Sequence, residues 1–205
     1  MNRTRGFTII ELMTVVAVLG VALAIGVPSM SSFLLDNRLV SDLNSLSSAL
    51  TLARSEAIKQ NRRTVVCASV DGATCVTDGK WEKGWMVFVD RNANLTPDFG
   101  VGDGCADGAT DDCLLLAEHA LPGAENVGHS GQLISLRAGT GIGNVIAYNG
   151  SGTPRCAGAN CVNANTYFTI CDNRGAGHAR GLAISQTGRA SVIETLLDGS
   201  ALVCP

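Results

Sequence analysis

The feature that most constrains this chain is an uncharged, apolar run of 24 residues near its N-terminus, residues 12–35. A helix needs about 20 apolar residues to cross the hydrocarbon core of a bilayer, so the run is long enough to span a membrane. Arg3 and Arg5 precede it, and basic residues favour the cytoplasmic side of a membrane. The sequence therefore predicts one span, with the N-terminus in the cytoplasm and residues 36–205 exported.

A single acidic residue, Glu11, lies at the start of this hydrophobic segment. A carboxylate inside a membrane is costly unless it meets a partner, so Glu11 is a candidate functional residue. The alternative is a secretory signal peptide or a plain signal anchor. A signal peptide is cleaved after its apolar stretch at small residues, and Ala24, Gly26 and Ser29 offer a weak site of that kind. The presence of Glu11 argues against both alternatives.

The residues around Glu11 closely resemble the class III signal of type IV pilins and type II secretion pseudopilins. Gly6, Phe7, Thr8 and Glu11 match that signal, and an unbroken hydrophobic helix follows them. The resemblance implies that a prepilin peptidase removes the leader 1–6 by cutting between Gly6 and Phe7, and methylates the new amine of Phe7. It also implies that Glu11 neutralises the N-terminal amine of a neighbouring subunit during assembly. Two opposite charges buried together satisfy each other, whereas either alone is penalised.

A long helix is predicted from about residue 8 to about Gln60. Proline removes a backbone hydrogen bond and kinks a helix interior, so Pro28 predicts a bend near residues 26–28. The alternative is that Pro28 ends the membrane span. Beyond it, apolar residues recur at steps of four and three, which is typical of one buried helix face. These residues are Leu39, Leu43, Leu46, Leu50, Ala53 and Ala57.

After the helix, the pattern changes to short strands rich in Val, Ile and Thr, separated by Gly, Asn, Asp and Pro. The predicted strands are residues 64–70, 85–89, 114–118, 132–137, 144–149, 166–172, 180–185 and 189–195. Strands that follow one long helix predict an α+β fold, with the helix packed on an antiparallel sheet. The predicted organisation is a leader (1–6), a transmembrane and assembly half of the helix (7–35), and a β-rich globular domain (36–205).

Three segments of the globular domain are similar to FimT/GspH-type minor pilins. They are residues 84–94 (GWMVFVDRNAN), 171–175 (CDNRG) and 187–189 (TGR). Together with the N-terminal signal, this resemblance extends over most of the chain. The pattern is most similar to the FimU/FimT branch.

Eight cysteines all lie beyond the apolar run. An even number in local pairs on the exported side of a membrane anchor predicts disulfides, although eight cysteines allow 105 connectivities. The predicted pairs are Cys67–Cys75, Cys105–Cys113, Cys156–Cys161 and Cys171–Cys204. The alternative is a zinc site that joins Cys171 and His178. It is disfavoured because the spacings lack a C-x-x-C pair.

The sequence contains only weak matches to motifs for catalysis, cofactor binding or metal binding. No nucleophile, base and orienting group can be nominated together, so we predict no enzymatic activity, no cofactor and no metal. Asp90, Asn92, Asn94, Thr96 and Asp98 alternate like the first ligands of a calcium loop. That motif requires Gly at its sixth position and Glu at its twelfth, and the chain has Leu95 and Val101 there. A local hydrogen-bonded turn is the preferred interpretation. Three alternate glycines at 139, 141 and 143 do not form a dinucleotide fingerprint.

Arginines dominate the charge of the C-terminal third of the chain, where Arg174, Arg180 and Arg189 are candidate contacts for an anion or DNA. In competence-type FimT relatives, the resemblance implies DNA contact through a Gly-Arg-x-Arg motif. The corresponding residues here are 188–191, with Ser191 in place of the second arginine. Residues 36–205 carry 13 basic and 17 acidic side chains, a net charge of −4. Because phosphate binding grows with the number of cationic contacts, we expect weak DNA binding or none.

These observations predict a minor pilin that primes assembly of a type IV pilus and lies near its tip, in support of adhesion, twitching motility or DNA uptake. The partners would be other minor and major pilins, the prepilin peptidase and, before assembly, the bacterial inner membrane. The local cysteine pairs favour a pilus, whose exposed tip benefits from covalent staples. One alternative is a GspH-type minor pseudopilin of the type II secretion system. The other is a DNA-binding competence pilin of the FimT type.

Overall fold

The computed structural model describes residues 7–100, 105, 110–121, 134–139, 141–156, 159–161, 166–196 and 198–204. The chain divides into two compact units, Met1–Arg38 and Leu39–Pro205. The predicted leader, including Gly6, lies outside the described residues.

One α-helix, α1 (Ile9–Gln60), contributes to both units. In the first unit its large apolar side chains, from Ile9 to Leu34, are exposed. It is the one helix of the described residues that is long and apolar enough to cross a membrane, and the apolar window that meets this test has no part buried inside the protein. The backbone is helical through residue 28, and the bend predicted from Pro28 stays a prediction.

In the second unit, α1 buries one face. The six residues of the predicted apolar stripe are all at most 1% exposed, and Ala49 extends the stripe. They belong to one core cluster with side chains from the strands, including Val66, Val87 and Tyr148. The predicted helix face is therefore confirmed.

Among the described residues, ten strands and two short 3₁₀ helices follow α1, and the β-strands form two antiparallel sheets. The strands are β1 (Arg63–Ala68), β2 (Trp85–Asp90), β3 (Cys113–Glu118), β4 (Ser135–Ala138), β5 (Val145–Tyr148), β6 (Pro154–Cys156), β7 (Ala159–Asn160), β8 (Tyr167–Cys171), β9 (Arg180–Ile184) and β10 (Ala190–Ile193). The larger sheet has the order β3-β2-β1-β5-β6-β7, and the smaller sheet has the order β10-β9-β8-β4. The α+β fold predicted from the sequence is confirmed.

The six-stranded sheet is covered on both faces. Alternate residues of a strand point to opposite faces, so Val66 packs in the cluster that contains the α1 stripe while Val65 packs in a second cluster on the other face. Loop residues Leu95 and Phe99 cover that second cluster, where the Phe99 ring meets Phe88 edge to face at 5.8 Å between ring centroids. This double coverage explains why every residue of β2 is buried.

A 3₁₀ helix, Trp81–Lys83, connects the two sheets through its side chains. The Trp81 ring meets Phe168 of β8 edge to face, with centroids 4.9 Å apart. Its indole Nε1 donates to the Gly143 carbonyl at 3.3 Å, just before β5 of the larger sheet. The two sheets therefore share one apolar core around Trp81.

The neighbouring carboxylate of Glu82, 2% exposed, caps an edge of the smaller sheet. Its Oε2 accepts a hydrogen bond from the Leu136 backbone amide of β4 at 3.2 Å, and it forms an ion pair with Arg137. The Glu82 carbonyl also accepts the Leu121 amide at 2.8 Å. An acidic side chain thus blocks an edge that would otherwise present an unpaired backbone donor.

Two elements were not predicted from the sequence. Strands β6 and β7 form a short hairpin between residues 154 and 160, where Pro154 and few apolar residues hide the strand pattern. Residues 139 and 141–143 lie in the connection from β4 of the smaller sheet to β5 of the larger one.

Four disulfides link the cysteines, none of which is free, and the structure describes all eight. The pairs are Cys67–Cys75, Cys105–Cys113, Cys156–Cys161 and Cys171–Cys204. They are the same pairs that the local spacing predicts. Three of them close short loops, whereas Cys171–Cys204 has a sequence separation of 33 and ties the C-terminal segment to β8.

We expect removal of Cys171–Cys204 to cost more stability than removal of the shortest staple. The conformational entropy that a disulfide removes from the unfolded chain grows with the length of the loop that it closes. The resulting stabilisation is about 3–4 kcal/mol for the pair separated by 33 residues and about 2 kcal/mol for Cys156–Cys161. Both pairs would be replaced by alanines, and the free energy of unfolding would be measured in urea on a soluble protein that begins at Asp36. Equal losses would contradict the loop-length argument, and a free Cys204 thiol in peptide mapping would contradict the pairing.

Candidate functional site

The first candidate site is the N-terminal end of α1, where Thr8 and Glu11 form a reciprocal pair. Thr8 Oγ1 accepts the Glu11 backbone amide at 3.3 Å. Glu11 Oε2 accepts both the Thr8 amide and the Thr8 hydroxyl, each at 2.9 Å. This is the capping box, in which a threonine and a glutamate three residues apart satisfy backbone donors that a helix start leaves unpaired.

The capping box determines where the Glu11 carboxylate lies. It is folded back toward the start of the helix, beside Phe7, which is exposed. The positive end of the helix dipole also favours an anion there. Within the described residues, the hydrogen bonds of the carboxylate all go to Oε2, so Oε1 can accept a cationic donor that approaches the helix end.

The apolar side chains that follow Glu11 form the second part of this site. Large residues from Ile9 to Leu34 are between about half and four-fifths exposed. Exposure of so much apolar surface to water is unfavourable, and an apolar patch of this size is typical of a membrane or protein contact. A helix with this surface can lie in a bilayer or among other apolar helices.

The three predicted anion contacts are not brought together. Arg174 pairs with Asp172 at 2.7 Å, and Arg180 lies 3.7 Å from Glu194. Arg189 follows the turn between β9 and β10, where its carbonyl accepts the Ser185 amide. Arg180 begins β9, five residues before Ser185, so it lies about 16 Å from that turn at 3.3 Å per residue.

The Arg174–Asp172 pair is a structural ion pair. Burial acts to raise the pKa of Asp172, but the hydrogen bonds and charge of Arg174, with the charge of His178, lower the pKa overall. Arg174 Nε donates to the carboxylate at 2.8 Å, and its backbone amide donates at 2.9 Å. Because Asp172 already compensates the positive charge of Arg174, this arginine is a weaker contact for a nucleic acid.

The calcium-like segment is a local turn. The Asp90 carboxylate accepts the amides of Asn94 and Leu95 at 3.2 and 3.0 Å. The Asp98 carboxylate accepts the side-chain amides of Asn92 and Asn94 at 2.8 and 2.7 Å. The described residues contain no group of three or more His, Cys, Asp or Glu side chains that could hold a metal ion.

Asp112, the residue directly before β3, closes this turn. Its two oxygens accept the backbone amides of Arg91 and Asp98 at 2.8 and 3.0 Å. Burial raises the pKa of Asp112; the two amides act to lower it, and the charges of Asp90 and Asp98 raise it further. No local pattern predicts this role, because Asp112 lies 21 residues after Arg91 and 14 residues after Asp98.

The zinc alternative is incompatible with the structure. Cys171 forms a disulfide with Cys204, so its sulfur is not a thiolate ligand for a metal.

Two family models match the chain, one at its N-terminal segment and one in its globular region. Residues 1–27 match the model described as prokaryotic N-terminal methylation motif. Residues 42–188, more than half of the chain, match the model described as type II transport protein GspH. The chain belongs to the GspH family. This GspH-family chain therefore combines the N-terminal methylation motif with the GspH globular region.

The chain is also similar to individual proteins. The pilin-like protein PilA1 of Thermus thermophilus is 37% identical over 98 residues, which is 47% of this chain and 54% of that protein. The chain therefore spans about half the length of this curated relative. Two crystal forms of the type IV minor pilin FimU of Pseudomonas aeruginosa are 21% identical to the chain. Form P21 covers 83% of this chain and 96% of FimU with a TM-score of 0.48, and form P65 covers 79% and 95% with a TM-score of 0.42.

Sequence reasoning selected Glu11 for its charge but missed its partner Thr8. The signal was present, since a threonine three residues before a glutamate at the start of an apolar helix predicts a capping box. It also missed the ion pair between Glu82 and Arg137. No local sequence pattern indicates that ion pair, because the two residues are far apart in sequence.

Proposed function

We propose that this GspH-family chain is a minor pilin of a type IV pilus, which primes assembly and lies near the pilus tip. The observation that carries the proposal is the exposed apolar half of α1, which begins at the capping box of Thr8 and Glu11. Before assembly this half would anchor the protein in the inner membrane, with the globular domain in the periplasm. After assembly it would pack against the same helix segment of neighbouring pilins.

The proposed maturation exposes a new amine at Phe7. A prepilin peptidase would cut after Gly6 and methylate this amine. The Glu11 carboxylate, already folded toward the helix start, would then receive the amine of an incoming subunit through Oε1. An ion pair between two groups in an apolar environment is strongly favoured over either charge alone.

The disulfides support a pilus rather than a secretion pseudopilus. Four covalent staples in one small domain suit a subunit exposed outside the cell, where the oxidising environment preserves them. A minor pseudopilin of the type II secretion system remains the second candidate, since the family model carries that description. Deletion of the gene separates the two: loss of surface pili and twitching with normal secretion supports the first, and the reverse pattern supports the second.

A DNA-binding competence pilin is the third candidate, and the geometry disfavours it. Two of the three predicted contact arginines are paired with acids. DNA uptake measured in the same deletion strain, with mobility shifts on the purified protein, would detect a direct role.

We expect Glu11→Leu to leave processing intact and to reduce incorporation into filaments by at least about tenfold, because an unpaired buried amine costs several kcal/mol. Thr8→Val removes only the capping hydroxyl and should have a smaller effect. Mass spectrometry of the mature N-terminus measures processing, and immunoblots of sheared filaments measure incorporation. A mature protein that retains Met1, or that starts near residues 27–30, would overturn the prepilin interpretation.

A further inference from the structure

Apart from Arg91, the arginines of the globular unit fall into two groups. One group has acidic partners, as for Arg174 with Asp172, and it also includes Arg63, Arg137 and Arg180. The other group makes no ion pair with a carboxylate of the described residues, and it comprises Arg54, Arg62, Arg155 and Arg189. Within the second group, Arg54 and Arg189 lie at one place.

Arg54 lies half-buried on α1 beneath two tight turns. Its Nε donates to the Gly152 carbonyl at 3.2 Å, in the turn between β5 and β6. A Cβ at Gly188, in the turn between β9 and β10, would lie 3.3 Å from Arg54 Cδ and 2.7 Å from the Gly152 carbonyl oxygen. The buried Tyr148 hydroxyl donates to the Gly188 carbonyl at 3.4 Å. The two turns are therefore packed against the aliphatic stem of Arg54.

Arg189 follows Gly188 directly, and its side chain is exposed. Consecutive Cα atoms are about 3.8 Å apart, so the Arg189 Cα lies within about 9 Å of Arg54 Cδ. Both guanidinium groups can therefore reach one point on the surface. We call these two residues the arginine pair.

The arginine pair makes no ion pair with a carboxylate of the described residues. Two guanidinium groups that reach toward one point repel each other, and partial burial of Arg54 removes part of the water that would screen its charge. The guanidinium fork binds a carboxylate through two parallel hydrogen bonds, which adds geometric specificity to the attraction. An anion at this point would satisfy both groups.

We propose that the arginine pair is an assembly contact that receives acidic side chains from a neighbouring pilin subunit. The proposal rests on the proposed function, since only a filament subunit has such a neighbour. It assigns an interaction role to Arg54 and re-assigns Arg189 from nucleic acid to protein.

A protein carboxylate fits this site better than a nucleic acid. Nucleic-acid binders neutralise many phosphates, and their affinity falls with each missing cation, whereas this site offers two cations. Residues 36–205 also carry a net charge of −4, which repels a long polyanion but not one acidic side chain in a neighbouring subunit.

The test uses the full chain in cells that assemble filaments, with the photoreactive amino acid p-benzoylphenylalanine in place of Gln186. Gln186 is exposed in the turn beside the arginine pair. Illumination should link it to another pilin at a peptide that contains Asp or Glu. The combined changes Arg54→Gln and Arg189→Gln should reduce the yield about tenfold, since hydrogen bonds between charged groups change an equilibrium constant by at least that factor.

The matched control is Arg155→Gln. Arg155 is also exposed and makes no ion pair with a described carboxylate. Its cross-strand neighbour Ala147 belongs to the cluster on the face of the large sheet opposite α1. It should leave the yield unchanged. Arg189→Gln alone alters only an exposed side chain, and should lower the yield without affecting folding. Arg189→Glu should be rescued by changing the mapped acidic residue of the partner to arginine.

Three outcomes would overturn the proposal. The first is an unchanged yield in the double variant, and the second is a linked peptide without an acidic residue. The third is tight binding of a 30-base-pair duplex by the purified full chain in detergent that Arg189→Gln abolishes, which would assign the pair to phosphate. The presence of the wild-type protein in sheared filaments distinguishes a failure of the proposed function from a failure of the arginine contact. Its absence contradicts the proposed function. Its presence together with an unchanged cross-linking yield in the double variant contradicts only the arginine contact.

Discussion

Gly84→Ala should be among the most destabilising single substitutions in the globular domain, with a loss of more than about 4 kcal/mol. Gly84 has φ +121° and ψ 173°, a backbone region that is essentially restricted to glycine. A Cβ there would lie 2.4 Å from the Glu118 carbonyl oxygen and 2.8 Å from the Ser69 carbonyl oxygen. Both atoms are backbone atoms of neighbouring segments, so they cannot rotate away.

Two other glycines separate the two contributions to this loss. Gly175 has φ +84° but open space around its Cβ position, so Gly175→Ala should cost only the backbone strain, about 1–2 kcal/mol. Gly177 has neither a positive φ nor a close neighbour, and Gly177→Ala should be nearly neutral. Urea unfolding of the three variants, in the soluble protein that begins at Asp36, measures the series. Equal losses at Gly84 and Gly175 would show that the backbone clash is relieved by movement.

Arg137→Ala should lower the free energy of unfolding by about 3–5 kcal/mol, because it leaves the Glu82 carboxylate buried without a counter-charge. Glu82 is 2% exposed, whereas the Arg137 side chain is 28% exposed. Loss of the acid is therefore less harmful than loss of the arginine, since the arginine can still be hydrated. We expect Glu82→Gln to cost less than Arg137→Ala, because glutamine keeps an acceptor for the Leu136 amide.

A double-mutant cycle provides the measurement. In the Glu82→Gln background no buried negative charge remains, so Arg137→Ala should cost less than about 1.5 kcal/mol. The difference between the two backgrounds is the coupling energy of the pair. The same loss in both backgrounds would mean that Arg137 stabilises the sheet edge through the packing of its stem rather than through its charge.

Local patterns were enough to predict the elements that depend on neighbours in sequence. The apolar run and Glu11 predicted the exposed half of α1, and the steps of four and three predicted its buried stripe. The strand pattern predicted eight of the ten strands, with bounds shifted by a few residues at most where the structure describes them. Local spacing also predicted the cysteine pairs, because three of the four loops are too short to leave many alternatives.

Tertiary structure decided the features that join distant segments. The sequence predicted one sheet, and the fold has two, joined by the Trp81 core and the Glu82 cap of β4. The alternation of apolar and polar residues identifies a strand, but it does not show which other strands pair with it. The pattern therefore cannot assign the strands to separate sheets.

The sequence by itself determined the apolar start of α1, because a run long enough to cross a membrane and the glutamate before it lie within a few consecutive turns of helix. Only the tertiary structure decided which of the described arginines lie beside acidic side chains. Arg174 and Arg180 differ from Arg189 in that acids lie beside them in the fold, and Arg54 joins Arg189 across 135 positions of sequence. Charge acts through distance in space, which no local pattern of residues reports.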